Sequence, residues 1–190
     1  MESTKGSTWK KNSLDLVSQY SKFFKKIDTF SGICPSCNSD KFTMVEFIYN
    51  TPYGDILVIN GYCEKCGYKF FDIFNLKSHE PIELILKVND DEDLRSLIIR
   101  SKTAKIMIPE LNIEIHPGPA SLPYITTVDG ILYRVLDVLS LFSKEEAKHV
   151  EEALNEAING KKSFTLIISD PYGNSAIIPF RKRKLTIKRD

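Results

Sequence analysis

In PIELILKV, residues 81–88, Ile82, Leu84, Leu86 and Val88 fall on every second position, a period of two that predicts a half-buried strand. The segment LRSLIIRSKTAKIMIPELNIEIHPGP continues in the same mode. Ile113 and Ile115 alternate there with Asn112 and Glu114, and Pro109, Pro117 and Pro119 break the run into several short strands. Between the two, NDDED reads as an acidic loop. Over residues 128–159 the period changes. VDGILYRVLDVLSLF carries a helical stripe of Ile131, Leu132, Val135, Leu136, Val138 and Leu139. SKEEAKHVEEALNEAI opens with Ser143 and Glu146 at capping-box spacing, buries Ala147, Val150, Leu154 and Ala157 or Ile158, and stops at Asn159 and Gly160. Strand character returns in FTLIIS and AIIPF, joined by DPYGNS.

Two further segments precede this body. KFTMVEFIYNTPYGDILVINGY contains strand-like runs at 43–49 and 56–59, and the Pro and Gly of NTPYGD turn one into the other as a hairpin. Before it, LDLVSQYSKFFKKI spaces Leu14, Leu16, Val17, Tyr20, Phe23, Phe24 and Ile27 as an amphipathic helix packed on the body. The expected organisation is a helical extension over 1–30, a ribbon over 31–78 and a β-rich domain over 79–190 with a helical hairpin at about 128–159. The fold class is mainly β with α (α+β).

Composition narrows the options. The 190 residues, 42% hydrophobic and 27% charged, suffice for one ordinary domain plus a small appendage. A net charge of +1 supplies no global field to attract nucleic acid or membrane. No long uncharged apolar run occurs, and the first twenty residues lack signal-peptide character, so a cytoplasmic protein is expected.

Candidate chemistry lies in the cysteines. All four fall in residues 34–66, as CPSC (Cys34, Cys37) and CEKC (Cys63, Cys66), and in a reducing compartment such pairs bind metal more often than they form disulfides. Each C-x2-C turn can aim two thiolates at one ion, and two facing turns complete a tetrahedron, so one structural Zn2+ is expected on a zinc ribbon. Gly67 and Asn38 follow the two pairs at equivalent positions, and both residue types tolerate a left-handed backbone. A thioredoxin-like centre would need one such pair opening a helix. A catalytic zinc would keep an open position with His or carboxylate ligands, and His79, His116 and His149 show no ligand spacing. No phosphate loop, HExxH motif or nucleophile triad is recognisable, so no enzyme is expected.

CPSC and CEKCGY at this separation, IPELNIEIHPGP, YITTVDGIL and FTLIISDPYGNS, in this order from Ile33 to Ser175, resemble the ZPR-type zinc finger family. The resemblance implies a four-cysteine finger followed by a β-helical or β-sandwich-like domain with an inserted helical hairpin. Eukaryotic members carry two such modules, bind the translation elongation factor 1-alpha and assist its folding, and are linked to the cytoplasmic part of a growth-factor receptor. This chain has one module and looks like the shorter archaeal members. The resemblance therefore implies a zinc-binding accessory or chaperone-like protein whose partner is an elongation GTPase of the 1-alpha type; the alternative is a nucleic-acid-binding zinc-ribbon protein in transcription or translation.

Four features have both a structural and a functional reading. Asp170, Gly173, Asn174 and Ser175 suit a sharp local turn, and as the functional alternative form a partner-contacting rim. The tail RKRKLTIKRD is either a basic contact for nucleic acid or an acidic protein face, or a final strand with Leu185 and Ile187 inward. PGPASLPY is a rigid connection or a recognition loop, and Phe70, Phe71 and Phe74 are core where ribbon meets body or, if exposed, a binding surface.

Overall fold

The computed structural model describes residues 24–189 except 52–53, 78–79, 140, 142–143 and 182–184. The helix expected over residues 14–27 lies for the most part outside them. Where the extension is described it is a strand: β1 (Phe24–Gly32) runs antiparallel along β2 (Phe42–Thr51), from Phe24 opposite Tyr49 to Gly32 opposite Phe42. The physical reason is the neighbour. The free edge of β2 offers a row of backbone partners that a lone helix turn cannot match. A bulge at Ile27 absorbs the one-residue shift between Lys26 and Asp28.

The ribbon hairpin is longer than the sequence pattern suggested. β2 pairs with β3 (Gly54–Cys63) from Thr51 opposite Gly54 to Phe42 opposite Cys63. β4 (Lys69–Asn75) then adds to β3, giving an antiparallel sheet ordered β1-β2-β3-β4. Its sequence, KFFDIFN, is apolar on both faces, which hides the period of two.

The body contains two more antiparallel sheets. One is ordered β12-β5-β10-β7-β8, from β5 (Ile82–Val88), β7 (Lys105–Ile108), β8 (Ile113–Ile115), β10 (Phe164–Asp170) and β12 (Leu185–Arg189). The other is β11-β6-β9, from β6 (Leu97–Arg100), β9 (Tyr124–Thr127) and β11 (Ala176–Ile178). All described pairings are antiparallel, so of the two body architectures expected a sandwich forms, since a β-helix stacks parallel rungs. Alternation along β5 and β10 sends Leu84, Leu86, Leu166 and Ile168 into the core, as the sequence period required. β6 and β11 are buried at every position, because β11 lies between β5 on one side and β2 of the ribbon on the other.

The helical hairpin forms where expected, as α2 (Val128–Leu139) and α3 (Lys144–Ile158). Ile131, Leu132, Leu154 and Ala157 enter the core, while Val138 of the expected stripe turns outward, 54% exposed. The expected cap at Ser143 lies outside the described residues. Gly160, at φ +67, closes α3 as predicted, with its amide on Ala157 O and the Lys161 amide on Glu156 O. The acidic NDDED is not a loop but one helical turn, α1 (Asp91–Leu94). The Asp90 carboxylate accepts from the Asp93 amide at 3.1 Å and the Asp93 carboxylate from the Asn89 amide at 2.9 Å, reciprocal bonds that cap the turn.

Ribbon and body share one core. Ile56, Val58 and Ile73 of the ribbon belong to the same buried cluster as Leu84, Ile98 and Ile177, so the boundary expected near residue 78 does not separate two independent cores. The DPYGNS turn fastens the two. Asp170, 1% exposed, accepts from Ser101 and Ser175 hydroxyls at 2.8 and 2.7 Å, the Thr103 hydroxyl at 2.9 Å and the Tyr172 amide at 3.2 Å. Asn174 Oδ1 accepts from the Asn75 amide at 3.0 Å, and Asn75 Nδ2 donates to Gly173 O at 2.8 Å, tying the end of β4 to the turn. Gly173 sits at φ +63, and a Cβ there would overlap the Glu80 carbonyl oxygen. Gly173→Ala should therefore destabilise the chain by about 2–4 kcal/mol, strain and overlap combined, read as a fall in the midpoint of denaturant unfolding.

Candidate metal centre

Each knuckle is a backbone turn built by its own sequence. In the first, the Asn38 amide donates to Cys34 O at 2.9 Å and the Cys34 amide to Ser39 O at 2.7 Å. In the second, the Gly67 amide donates to Cys63 O and the Cys63 amide to Tyr68 O, both at 2.9 Å. The reversal demands a left-handed residue at the fourth position after the first cysteine, and Asn38 (φ 55) and Gly67 (φ 74) supply it as the sequence indicated. A cross-bond from the Glu64 amide to Lys41 O at 3.0 Å holds the knuckles face to face.

The four sulfurs then converge, all within 4.8 Å of one another. Cys34 Sγ lies 3.7 Å from Cys66 Sγ, and Cys37 Sγ lies 3.7 Å from Cys63 Sγ. A zinc–sulfur bond of about 2.3 Å gives a tetrahedron with edges of about 3.8 Å, so the spacing fits one ion with four thiolates. It is far too long for a disulfide. The protein's own electrostatics point the same way. Desolvation raises the Cys34 thiol, but amide donors at Cys37 and Ser36 and the neighbouring thiols outweigh it and bring it down to about 7. At Cys37 the Ser39 amide lowers the thiol while burial and the three neighbouring sulfurs push it up to about 12. One thiolate thus suppresses the next, and only a cation lets all four be ionised together.

The knuckle end has a small core of its own. Cys34, Phe42 and Cys63 are buried, with Met44, Tyr68 and Phe70 packed on them and the Phe42 and Tyr68 rings 5.9 Å apart. At Gly61 a Cβ would strike the Phe42 ring, so the bare glycine lets that ring seat beside the cysteines.

Other sequence candidates land elsewhere. His116 is exposed and bonds Glu114, and His149 is exposed; His79 lies outside the described residues. Among the described residues the only cluster of His, Cys, Asp or Glu suited to a metal is the four cysteines. Of the candidate rim, Asp170, Gly173 and Ser175 are buried and committed to the bonds above, and Asn174 is half-buried against β4. The turn is thus a joint, and what it shows to solvent is Pro171 and Tyr172. A turn motif does not reveal from sequence which of its side chains a neighbouring strand will cover.

The basic tail is also committed. β12 pairs with β5 with Leu185 and Ile187 half-buried, and Lys188 pairs with Glu83 at 2.8 Å. Arg181 bridges Asp90, at 2.8 Å, and Glu92 on the acidic turn, while Lys182, Arg183 and Lys184 lie outside the described residues. Phe74 is 38% exposed, Phe70 and Phe71 are half-buried, and Leu122 of PGPASLPY is 75% exposed. Among the described residues no helix is long and apolar enough to cross a membrane.

Comparison with known proteins agrees with this geometry. Residues 92–188 match the family model of the ZPR1 jelly-roll domain. A ZPR1-like protein of Methanocaldococcus jannaschii is 39% identical over 155 residues, 76% of this chain and 78% of that protein. One from Pyrococcus horikoshii is 36% identical over 171 residues, covering 82% and 76%. The zinc finger chaperone zpr1 of Schizosaccharomyces pombe is 30% identical over 164 residues, 79% of this chain but 36% of its own length. With zinc finger relatives and this donor set, Cys34, Cys37, Cys63 and Cys66 hold a single structural Zn2+.

Protein purified without added metal should contain one zinc per chain by elemental analysis; metal-free protein with two disulfides would refute the assignment. Cys63→Ser should accelerate hydrogen exchange around residues 34–42 and 63–70, in the knuckle core. Amides of Leu84, Ile106 and Ile168, in the shared core, should stay protected. Equal loss of protection in both sets would show that the metal supports the whole chain.

Proposed function

Because the chain belongs to the ZPR1 family of zinc finger proteins, we propose that it is a non-catalytic, chaperone-like accessory protein of the cytoplasm that binds a translation elongation GTPase of the 1-alpha type. The observation that carries this reading is the fusion of ribbon and body through one core and the Asp170 joint. A ribbon alone offers too little area for the roughly 1,200 Å² of a stable interface, whereas a rigidly fused ribbon and body can present a continuous one. The name of the fission yeast relative, a zinc finger chaperone, supports the protein-binding class. The zinc is closed by four thiolates with no open position, which suits a structural role. The alternative, a nucleic-acid partner, is weakened by the tail: Arg181 and Lys188 already face acidic groups of this chain.

The test is association of the purified chain with the elongation factor in nucleotide-free, GDP-bound and GTP-bound states, at low and moderate salt. Binding is expected to survive moderate salt and to be strongest for nucleotide-free or newly made factor. Cys66→Ser and Asn174→Ala should each weaken it by about tenfold, the first by loosening the knuckles and the second by loosening the ribbon's seat on the body. No association in any nucleotide state would remove this reading and promote the nucleic-acid one.

A further inference from the structure

Between ribbon and body runs an open groove of about 620 Å³, walled by residues 68–72 on one side and 122–125 on the other, with Lys102 at its side. Successive residues of a strand point to opposite faces, so a cavity touched by five consecutive residues follows the strand's edge and not its face. The sheet orders agree. β4 is the last strand of the ribbon sheet, and β9 is the last strand of the small body sheet. The groove therefore separates two sheet edges that no strand pairs among the described residues.

The edge of β4 can be read group by group. Tyr68 O accepts from the Cys63 amide and the Leu76 amide donates to Asp55 O, so the even-numbered residues of this stretch carry the bonds to β3. The odd-numbered amides face outward. Ile73 has its amide capped by the Asp72 carboxylate at 2.9 Å, and Asn75 has its own bonded to Asn174 at 3.0 Å. Among the described residues the amides of Lys69 and Phe71, of the same parity, carry no such cap, and they lie where the groove is open. Exposed edges normally carry a protecting device. Here the protection stops at Ile73.

The charge of the walls is one-sided. Asp72 pairs with Lys102 at 3.4 Å across the groove, which leaves Lys69 as the unbalanced lining charge. In the wall, the Tyr124 ring has two guanidinium groups over it, that of Arg100 5.3 Å and that of Arg134 4.6 Å from its centre. Arg100 is 3% exposed, donates to Ser121 Oγ and Ala104 O, and leaves its Nε without a partner. Among the described residues neither arginine forms an ion pair. A buried cation without an anion is costly, and a negative group brought to the groove would offset that cost.

We infer that this groove binds an extended, acidic segment of a partner protein, which adds a strand to the free edge of β4 with the apolar side chains of its body-facing side against Phe71 and Leu122. Backbone pairing supplies affinity, and the cations select acidic side chains. Free strand edges on both walls favour a polypeptide over a nucleic acid, which would use the aromatic and basic groups but not the Phe71 amide. The inference deepens the protein-binding reading above and rests on it only for the class of partner.

The experiment uses the full zinc-loaded chain and a short fluorescent peptide alternating Val or Thr with Glu, followed by anisotropy. Micromolar binding is expected. A peptide with Lys in place of Glu should bind at least about tenfold more weakly, and of two peptides N-methylated at alternate amides, one in each register, one should weaken to the same degree while the other still binds. The exposed variant Lys69→Glu should lose binding similarly while unfolding at an unchanged temperature. Absence of binding, equal binding of the Lys peptide, or equal binding of both N-methylated registers would overturn the inference, as would a labelled single-stranded oligonucleotide that binds more tightly than the peptide and displaces it. Peptide binding without elongation-factor association would refute the proposed GTPase partner and leave the groove standing; the reverse result would refute the groove alone.

Discussion

The carboxylate of Asp170 is the group on which the arrangement of this molecule depends. A buried acid is tolerated only when donors satisfy it, and here the donors come from the β6–β7 connection, at Ser101 and Thr103, and from the start of β11, at Ser175. Those bonds fix the end of β10 relative to both body sheets. The turn they define then presents Gly173 O and Asn174 Oδ1 to Asn75, and so sets where the ribbon sheet sits. One satisfied carboxyl group thus links the metal-bearing ribbon to the sandwich through the turn it anchors.

The two ends of the ribbon are stabilised by different physics. Near the body, Ile56, Val58 and Ile73 belong to a large apolar core and need no metal. Near the knuckles the buried hydrophobic cluster is Cys34, Phe42 and Cys63, too little apolar surface to order two tight turns, and metal ligation supplies what burial does not. The zinc therefore acts locally, shaping the far end of a sheet whose near end is held by ordinary packing.

This construction also explains the clefts. Two sheets that meet at a joint, and not along their whole edges, leave unpaired strands facing each other, and β4 and β9 do so on either side of an aromatic groove. The same geometry that fuses ribbon and body for a broad protein interface leaves an edge open for a narrower one.

The sequence by itself determined whatever depends on local spacing. The metal ligands, the left-handed Asn38 and Gly67, the strand at Ile82–Val88, the helical hairpin and its Gly160 stop all follow from short-range geometry: a C-x2-C turn, a period of two, a period of 3.6. The turn character of DPYGNS was equally legible. What only the tertiary structure decided is whatever depends on a neighbour distant in the chain. Residues 24–27, the end of the stretch with helical spacing, lie as a strand because β2 had an open edge, and KFFDIFN became an edge strand although its apolar residues fall on both faces. Ser175 and Asp170 became buried, and Arg181 and Lys188 of the tail became paired, because Ser101, Asp90 and Glu83, some seventy to a hundred residues away, fold against them. Spacing along the chain encodes which way a side chain points from its own backbone; it does not encode what stands opposite, and burial, pairing and charge balance are properties of what stands opposite.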